Sequence, residues 1–425
     1  MSDIGQRLIG VAGLGVLLGL AWLLSCDRRR FPVRVVAWGL GLQLAFALLI
    51  LKTRAGRAAF AWANDAFARL ISFADDGARF VVGDWSVPVQ VTDAVTGKPH
   101  AIGFLLAFKV LPVIIFFAAL MSILYHLGVM QKVVAGMAWL MKRCMRVSGA
   151  ESLVAATEVF VGMTEAPLAI RPYLARLTES ELMAVMVCGL ANIAGSVLAL
   201  YVSFGINAGH LLCASVMSAP AALVIAKIMI PETGEPDTAG SVRIPYERTT
   251  NNVIDAAAVG ATDGLKLALN VATMLVAFVA LLALVNFLLA GVHEAALRWL
   301  GWGGFPARLE EIFGWLFRPL AFVMGVPWGE SGAVGSLMGV KIGLNELIAY
   351  QKLAGMHAEL SERSFTIATY ALCGFANFGS LAIQIGGVSA LVPERRQDLS
   401  RLSLRALAGG TLATFMTATI AGMLL

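Results

Sequence analysis

The chain has 425 residues, of which 59% are hydrophobic and 14% are charged, against about 25% charged residues in an average soluble domain. The charges fall in short clusters between apolar runs long enough to cross about 30 Å of hydrocarbon, which excludes a soluble globular protein. The net charge of +5 does not indicate nucleic-acid binding, because basic clusters such as 28–30 and 142–146 flank apolar runs. We expect an all-α polytopic membrane protein.

Eight transmembrane helices are predicted from the apolar runs, at about 8–25, 33–51, 102–127, 182–204, 211–230, 265–289, 365–385 and 402–424. The first run is expected to be retained rather than cleaved, since its positive charges follow it. Residues 55–78 are amphipathic and are predicted to lie in the membrane interface, as are residues 292–317 with their tryptophans. Residues 83–98 are predicted to form a loop.

Two further stretches, 152–174 and 319–343, hold too many glycines, prolines and charges to be plain spans. We predict that both are re-entrant hairpins, tolerated in a membrane where they line a cavity. Basic clusters mark cytoplasmic loops, which places both chain termini outside the cytoplasm. On this topology the first hairpin enters from the cytoplasm and the second from the opposite side.

An internal repeat links the two halves of the chain. Residues 189–196 and 374–380 share a glycine, an alanine, an asparagine and a closing Gly-Ser. Each segment lies within a predicted span, follows a hairpin and precedes one more span. Interrupted segments in inverted repeats indicate the midplane site of a secondary transporter. The alternative is a coincidence of small residues at helix contacts.

The hairpins carry the carboxylates that are most costly to place in a membrane. Glu165 and Glu330 lie at the predicted tips and are expected to bind hydroxyls or amides of a substrate. The alternative is a structural ion pair, for example with Arg171. Glu158 is a third acidic group near the first tip, or else a solvated residue at a cytoplasmic entrance.

Asn192 and Asn377 each offer a donor and an acceptor where a helix is expected to unwind. Phe375 could face a flat ligand or simply pack against lipid or core. The five cysteines lack metal-ligand spacing and are expected to fill apolar space. No phosphate-binding loop is present in the sequence, so ATP-driven pumping is not expected, and we expect no cofactor.

Several stretches together resemble the concentrative nucleoside transporter family. They are 108–112 with 114–117, 162–167 with 171–173, 252–257 with 263–268, 325–331 and 375–380. The resemblance implies import of nucleosides, including pyrimidine nucleosides such as uridine, across a bacterial inner membrane by cation symport. It also implies a homotrimer in which a transport unit moves by an elevator-type mechanism against a scaffold.

The resemblance divides the chain into four parts. Residues 1–147 would form scaffold helices one to three with an interfacial helix, and residues 148–232 the first half of the transport unit. Residues 233–318 would hold a cytoplasmic loop, scaffold helix six and an interfacial segment. Residues 319–425 would form the second half of the transport unit.

The family's site residues map onto this chain one by one. The resemblance assigns the ribose to Glu330, Asn377 and Ser380, and the base to Met163, Thr164, Glu165, Val197 and Phe375. Met163 stands where the family usually has glutamine, so one hydrogen bond to the base is expected to be lost and the base preference is left open. The coupling-ion site would be formed by Glu158, Val161, Asn192 and Ile193.

Sodium-coupled members carry small neutral polar residues where this chain has Glu158 and Asn192. A carboxylate there suits a proton and also binds sodium, so both ions stay open. Two other classes of function are weighed against symport: a channel, and an intramembrane enzyme acting on nucleosides. Neither a nucleophile–base pair nor a set of metal ligands is found in the predicted spans, and the inverted repeat favours alternating access over a pore.

Overall fold

The computed structural model describes residues 3–83, 90–92, 99–101, 108, 111–239, 250–301 and 304–425. In the first third of the chain the helices are α1 (Asp3–Leu23), α2 (Val33–Lys52), α3 (Arg54–Val82), α4 (Leu111–His126) and α5 (Val129–Met145). Between α3 and α4, strands β1 (Gln90–Thr92) and β2 (Pro99–Ala101) pair antiparallel, with Gln90 opposite Ala101. The predicted loop therefore contains a strand, and its residues 84–89 and 93–98 lie outside the described part, as do 102–107, 109 and 110 of the third predicted span.

The middle of the chain holds α6 (Gly149–Thr157), a 3-10 segment (Ala166–Arg176), α7 (Glu179–Ala191), α8 (Gly195–Ser203), α9 (Ala208–Met229) and α10 (Val253–Leu300). The last third holds α11 (Leu309–Val323), α12 (Trp328–Gly343), α13 (Glu346–Gly355), α14 (Glu362–Leu372), α15 (Phe378–Leu391), a 3-10 turn (Pro393–Arg395) and α16 (Arg396–Leu424).

Six helical segments of the described chain are long and apolar enough to cross a membrane: α1, α2, α7 with α8, α9, α10 and α16. Six of the eight predicted spans fall on them. The third predicted span falls on α4, which meets α5 at a bend of 76°. The seventh is divided into α14 and α15, and the structure joins them through residues 373–377.

The second predicted hairpin differs from the structure in its bounds. Helices α11 and α12 are bent by 118° at residues 324–327. This bent pair begins at Leu309, ten residues before the predicted start of the hairpin. The stretch predicted to be interfacial is also helical, since α10 runs to Leu300 and α11 begins nine residues later. Helix α13 was not predicted at all.

Polar side chains begin most of the short helices around the interruptions. Capping boxes of Ser148 with Glu151 and of Thr178 with Glu181 start α6 and α7. The side chains of Asn345, Ser361 and Asn377 cap α13, α14 and α15. Each cap satisfies backbone N–H groups that a helix start leaves open, which matters most where water is scarce.

Burial separates two groups of helices. The spans of α7 with α8, α9 and α16 are 89%, 89% and 83% buried, whereas α10 is only 6% buried. Helix α9 packs between α2, α7 and α16, and α10 lies along α4. The interrupted α7–α8 segment, α9 and α16 therefore form the packed centre, while α10 presents an apolar surface such as lipid or a neighbouring chain would cover.

Candidate functional site

The two broken helices meet at their breaks. The first break separates α7 from α8 at residues 192–194, and the second separates α14 from α15 at residues 373–377. The backbone N–H of Phe375 donates a hydrogen bond of 3.2 Å to the carbonyl oxygen of Asn192. A Cβ on Gly374 would lie 2.9 Å from the carbonyl oxygen of Ala191, so this close approach requires glycine.

The two asparagines are held differently. In the first break, the Asn192 amide donates to the carbonyl of Cys188 (3.1 Å), and the Ser218 hydroxyl donates to the Asn192 amide oxygen. In the second break, the Asn377 amide oxygen accepts from the backbone N–H of Ser380 (2.7 Å). Its NH₂ group therefore remains available for a bond outside its own helix.

That bond goes to Glu346, a carboxylate that the sequence analysis missed. The Asn377 Nδ2 atom donates to Glu346 Oε2 at 2.6 Å, and the Tyr201 hydroxyl donates to Glu346 Oε1 at 3.2 Å. The ring of Tyr201 stacks on Tyr350 with centroids 4.2 Å apart. Glu346 is 7% exposed and opens α13 directly after its cap Asn345. That cap, two residues beyond the predicted hairpin, was the signal available in the sequence.

Glu330 lies elsewhere. Its Oε2 atom accepts from the backbone N–H of Ser361 (3.1 Å) and from the Ser361 hydroxyl (2.7 Å). Ser361 caps the start of α14, and Asn377 lies beyond the end of that 11-residue helix. At 1.5 Å per residue, α14 is about 16 Å long, so Ser361 at its start and Asn377 after its end lie at opposite ends of this helix. Glu330 therefore does not contact Asn377 in this structure, and the carboxylate that does is Glu346.

The first tip brings Glu158 and Met163 to the first broken helix. Glu158 is 1% exposed, and its Oε1 atom has no hydrogen-bond partner among the described residues. A Cβ on Gly189 would lie 3.2 Å from Glu158 Oε1 and 2.8 Å from Met163 Cβ. The absence of a side chain at Gly189 thus makes the room in which these groups converge.

Gln384 of α15 enters the same space and was also missed. Its Nε2 atom lies 2.3 Å from the Cβ position of Gly189, and it donates to the carbonyl of Met186 (3.2 Å). The side chain is fully buried, and in the described part of the chain its Oε1 atom is unpaired. A single glutamine in an apolar helix carried no signal that could place it beside Glu158.

The remaining residues of the first tip lie close to the breaks. The Gly195 N–H donates to the carbonyl of Phe160 (3.1 Å), which ties the tip to the first break. Thr164 lies against α15, since a Cβ on Gly387 would be 2.6 Å from Thr164 Cγ2. Glu165 precedes the 3-10 segment and is exposed. In the described structure it forms no ion pair with Arg171, the alternative that the sequence left open.

The other predicted site residues have little exposed surface. Ile193, Val197, Phe375 and Ser380 are buried at or next to the two breaks, and Val161 is half-buried at the first tip. Six of the predicted site residues therefore lie in the two breaks or within three residues of them: Asn192, Ile193, Val197, Phe375, Asn377 and Ser380. Polar groups converge there with backbone that has left helical geometry, an arrangement that can bind a polar ligand and an ion.

Comparison with known families identifies the family to which the chain belongs. A family model described as the C-terminus of a Na⁺-dependent nucleoside transporter matches residues 210–422, and its N-terminal counterpart matches residues 12–85. A model described as nucleoside recognition matches residues 107–208. The chain belongs to the concentrative nucleoside transporter family. As a member it is a nucleoside–cation symporter and not an enzyme, and the channel and enzyme alternatives are set aside.

Relatives of this family match along nearly the whole chain. A transporter of Haemophilus influenzae is 43% identical over 98% of this chain and 97% of its own length. Solute carrier family 28 member 3 of Mus musculus is 43% identical over 99% of this chain, which spans 59% of that longer protein. The structure of CNTnw in an inward-facing substrate-bound state is 40% identical, with a TM-score of 0.88 over 99% of this chain and 98% of its own.

Proposed function

We propose that this transporter imports nucleosides, including pyrimidine nucleosides such as uridine, into the bacterial cytoplasm by cation symport. The hairpins and broken helices would move as one unit against α1, α2, α4 and α10. The hydrogen bond between Phe375 and Asn192 carries this proposal, because it joins the two halves at the site. A ligand bound there contacts both halves at once, as alternating access to a midplane site requires.

For the ribose we propose Glu346, Asn377 and Ser380. The Glu346 carboxylate accepts from Asn377 and Tyr201, and sugar hydroxyls are donors of the same kind. Hydrogen bonds to a buried carboxylate are charge-assisted and strong. Glu330 is proposed instead to anchor the turn between α11 and α12 to the start of α14, through Ser361.

For the base we propose the first tip and the flanking breaks, with Met163, Thr164, Glu165, Val197 and Phe375. Glu165 is exposed and so available to a ligand, and the buried ring of Phe375 gives a flat apolar surface. Met163 provides no amide, so the hydrogen bonds to the base would come from Thr164 and Glu165. A site of this kind favours a base that needs few polar contacts.

The coupling ion is proposed to bind at Glu158, Val161, Asn192 and Ile193. The unpaired Oε1 atom of Glu158 supports this, since a buried carboxylate without a partner is costly and a proton or sodium ion would offset the cost. Sodium/nucleoside cotransporter 1 of Rattus norvegicus, 41% identical over 99% of this chain, uses sodium by its name. Both ions remain part of the proposal.

The assembly and orientation are proposed as follows. Both termini lie outside the cytoplasm, and residues 1–147 and 233–318 hold the scaffold while residues 148–232 and 319–425 hold the moving unit. The scaffold would trimerise, and the 6% burial of α10 supports a surface covered by lipid or by neighbouring copies. Single cysteines placed near Thr164 and near Ser331, for example at the exposed Gly329, should react with impermeant reagents from opposite sides of the membrane.

The experiment is uptake of radiolabelled uridine by purified protein in proteoliposomes. An imposed inward gradient of protons or sodium should drive saturable accumulation above the external concentration, and an adenosine competition series would define the base preference. Uptake that merely equilibrates, and that rises linearly with uridine concentration, would overturn symport in favour of a channel.

A further inference from the structure

Two buried charged residues occupy corresponding places in the two halves. Glu158 follows the last residue of α6, and Lys341 lies in the last turn of α12. Each is followed by a second carboxylate that opens the next segment, Glu165 before the 3-10 segment and Glu346 at the start of α13. The repeat thus places an acidic group beside the first break and a basic group beside the second.

Lys341 is fully buried and is held at the second break. Its Nζ atom donates to the carbonyl of Ala371 (2.9 Å) and to the hydroxyl of Thr414 (3.0 Å). Ala371 lies in the last turn of α14, where helix carbonyls have no partner of their own and the helix dipole favours a cation. The ring of Phe415 lies 6.0 Å from the same Nζ atom.

The first break lacks such a side chain. No lysine, arginine or histidine forms an ion pair with Glu158 among the described residues, and its Oε1 atom is unpaired. The carbonyl of Cys188, in the last turn of α7, accepts instead from the neutral amide of Asn192. Ser218 on α9 supports that amide, as Thr414 on α16 supports Lys341. One break therefore has an ammonium group and the other has an unneutralised acid.

From this difference we infer that Lys341 is a tethered cation, which takes at the second break the place that an exchangeable coupling ion takes at the first. The inference rests on the proposed cation symport. An ammonium group held at the second break would take the place of an exchangeable ion there, so each nucleoside would cross with the ion of the first break alone. Lys341 would hold the carbonyl end of α14 in place next to Glu346, and act as a positioning residue.

The test is chemical rescue in proteoliposomes. Lys341→Ala removes the ammonium and leaves space, and uridine uptake should fall roughly tenfold or more because two bonds to a charged donor are lost. Methylammonium at millimolar concentration should restore uptake saturably, and should raise the thermal unfolding midpoint of the purified variant. Lys341→Leu fills the space without a charge, so methylammonium should not restore it.

Two results with Lys341→Ala would overturn the inference. One is wild-type uptake by Lys341→Ala without methylammonium, and the other is no gain in either readout from the amine. If Lys341→Ala cannot be purified, Thr414→Val removes one acceptor of the ammonium, and Thr417→Val on the same helix is the matched control, since Thr417 bonds only within α16. Equal uptake by these two variants would also overturn it. Failure of the wild type to accumulate uridine under any cation gradient would instead refute the proposed symport.

Discussion

The backbone N–H of Phe375 and the carbonyl oxygen of Asn192 are joined by a hydrogen bond of 3.2 Å, which links the two broken helices at their breaks. Each atom belongs to backbone that has left helical geometry, and in a membrane such groups must find a partner in the protein. Through this hydrogen bond, a backbone group of each break finds its partner in the other break. A displacement of one broken helix would therefore displace the other.

The first prediction tests this junction with Gly374→Ala. The added Cβ would lie 2.9 Å from the Ala191 carbonyl oxygen and 2.6 Å from Thr414 Cγ2, so the breaks would have to separate. We expect uridine transport to fall at least about tenfold, because displacing the groups of a site by about an ångström can lower its activity by a large factor. Gly386→Ala on α15 is the control, because its Cβ would meet nothing within 4 Å. Equal transport by both variants would show that the close approach is unimportant.

The second prediction separates Glu346 from Glu330. Loss of charge in Glu346→Gln should weaken uridine binding roughly tenfold or more, since hydrogen bonds to charged groups contribute about 1.5–3 kcal/mol. Glu330→Gln should change binding much less, because Glu330 bonds to Ser361. Isothermal calorimetry on the purified variants measures both, and 2′-deoxyuridine should bind the wild type more weakly than uridine. A larger loss of uridine binding in Glu330→Gln than in Glu346→Gln would indicate that the ribose binds at the glycine-rich turn between α11 and α12.

The contrast between these two carboxylates shows what the sequence could predict. The breaks at Asn192 and Asn377 were predicted because glycine and asparagine weaken a helix locally. The choice of Glu330 over Glu346 was not settled by local pattern. Pro327 and Gly329 suggested a tip, and the structure does turn there, yet the turn lies at the far end of α14.

The residues that were missed depend on contacts between distant parts of the chain. Gln384 approaches Glu158 only because α15 packs against α7. Lys341 reaches Thr414 across 73 positions of sequence. Helix periodicity shows which side of a helix is buried, but it does not show which other helix packs against that side. The positions of whole helices were therefore more predictable than the partners of their buried polar groups.

The third prediction concerns Gln384 as a helper of the coupling ion. Its Nε2 atom and Glu158 Oε1 both lie close to the Cβ position of Gly189, and among the described residues its Oε1 atom has no hydrogen-bond partner. Gln384→Met keeps the length and removes the oxygen, so the driving-ion concentration for half-maximal uptake should rise several-fold. Gln43→Met is the matched control, since Gln43 on α2 is also fully buried with an unpaired Oε1 atom. An equal ion dependence of both variants would exclude Gln384 from the ion site.

The fourth prediction concerns the ion pair that holds the first hairpin arm. Lys227 on α9 pairs with the buried Glu151 of α6 and, at 3.1 Å, with Glu232. Lys227→Met would leave Glu151 buried without its partner, which typically costs about 3–5 kcal/mol. We expect a lower thermal unfolding midpoint in detergent, and partial recovery in the double variant Lys227→Met with Glu151→Gln. A control is Lys266→Met, whose pair with Asp263 is exposed.

The fifth prediction concerns the driving ion. Glu158 is buried, and its Oε1 atom has no partner among the described residues, so in the proposed movement the unloaded carboxylate would have to be neutralised before the moving unit crosses the membrane. A proton or a sodium ion achieves this equally well in electrostatic terms. Uptake is therefore measured with a pH gradient in the absence of sodium, and then with a sodium gradient at equal pH.

Glu158→Gln is neutral without any ion, so the unit should cross whether or not an ion is bound. We expect this variant to lose accumulation under either gradient while it still exchanges internal for external uridine. Glu359→Gln, an exposed carboxylate outside the site, should accumulate like the wild type. Accumulation by Glu158→Gln at the wild-type level would show that the coupling ion binds elsewhere. If only the sodium gradient drives the wild type, the proton interpretation of Glu158 is wrong, and Glu158 is either a sodium ligand or takes no part in coupling.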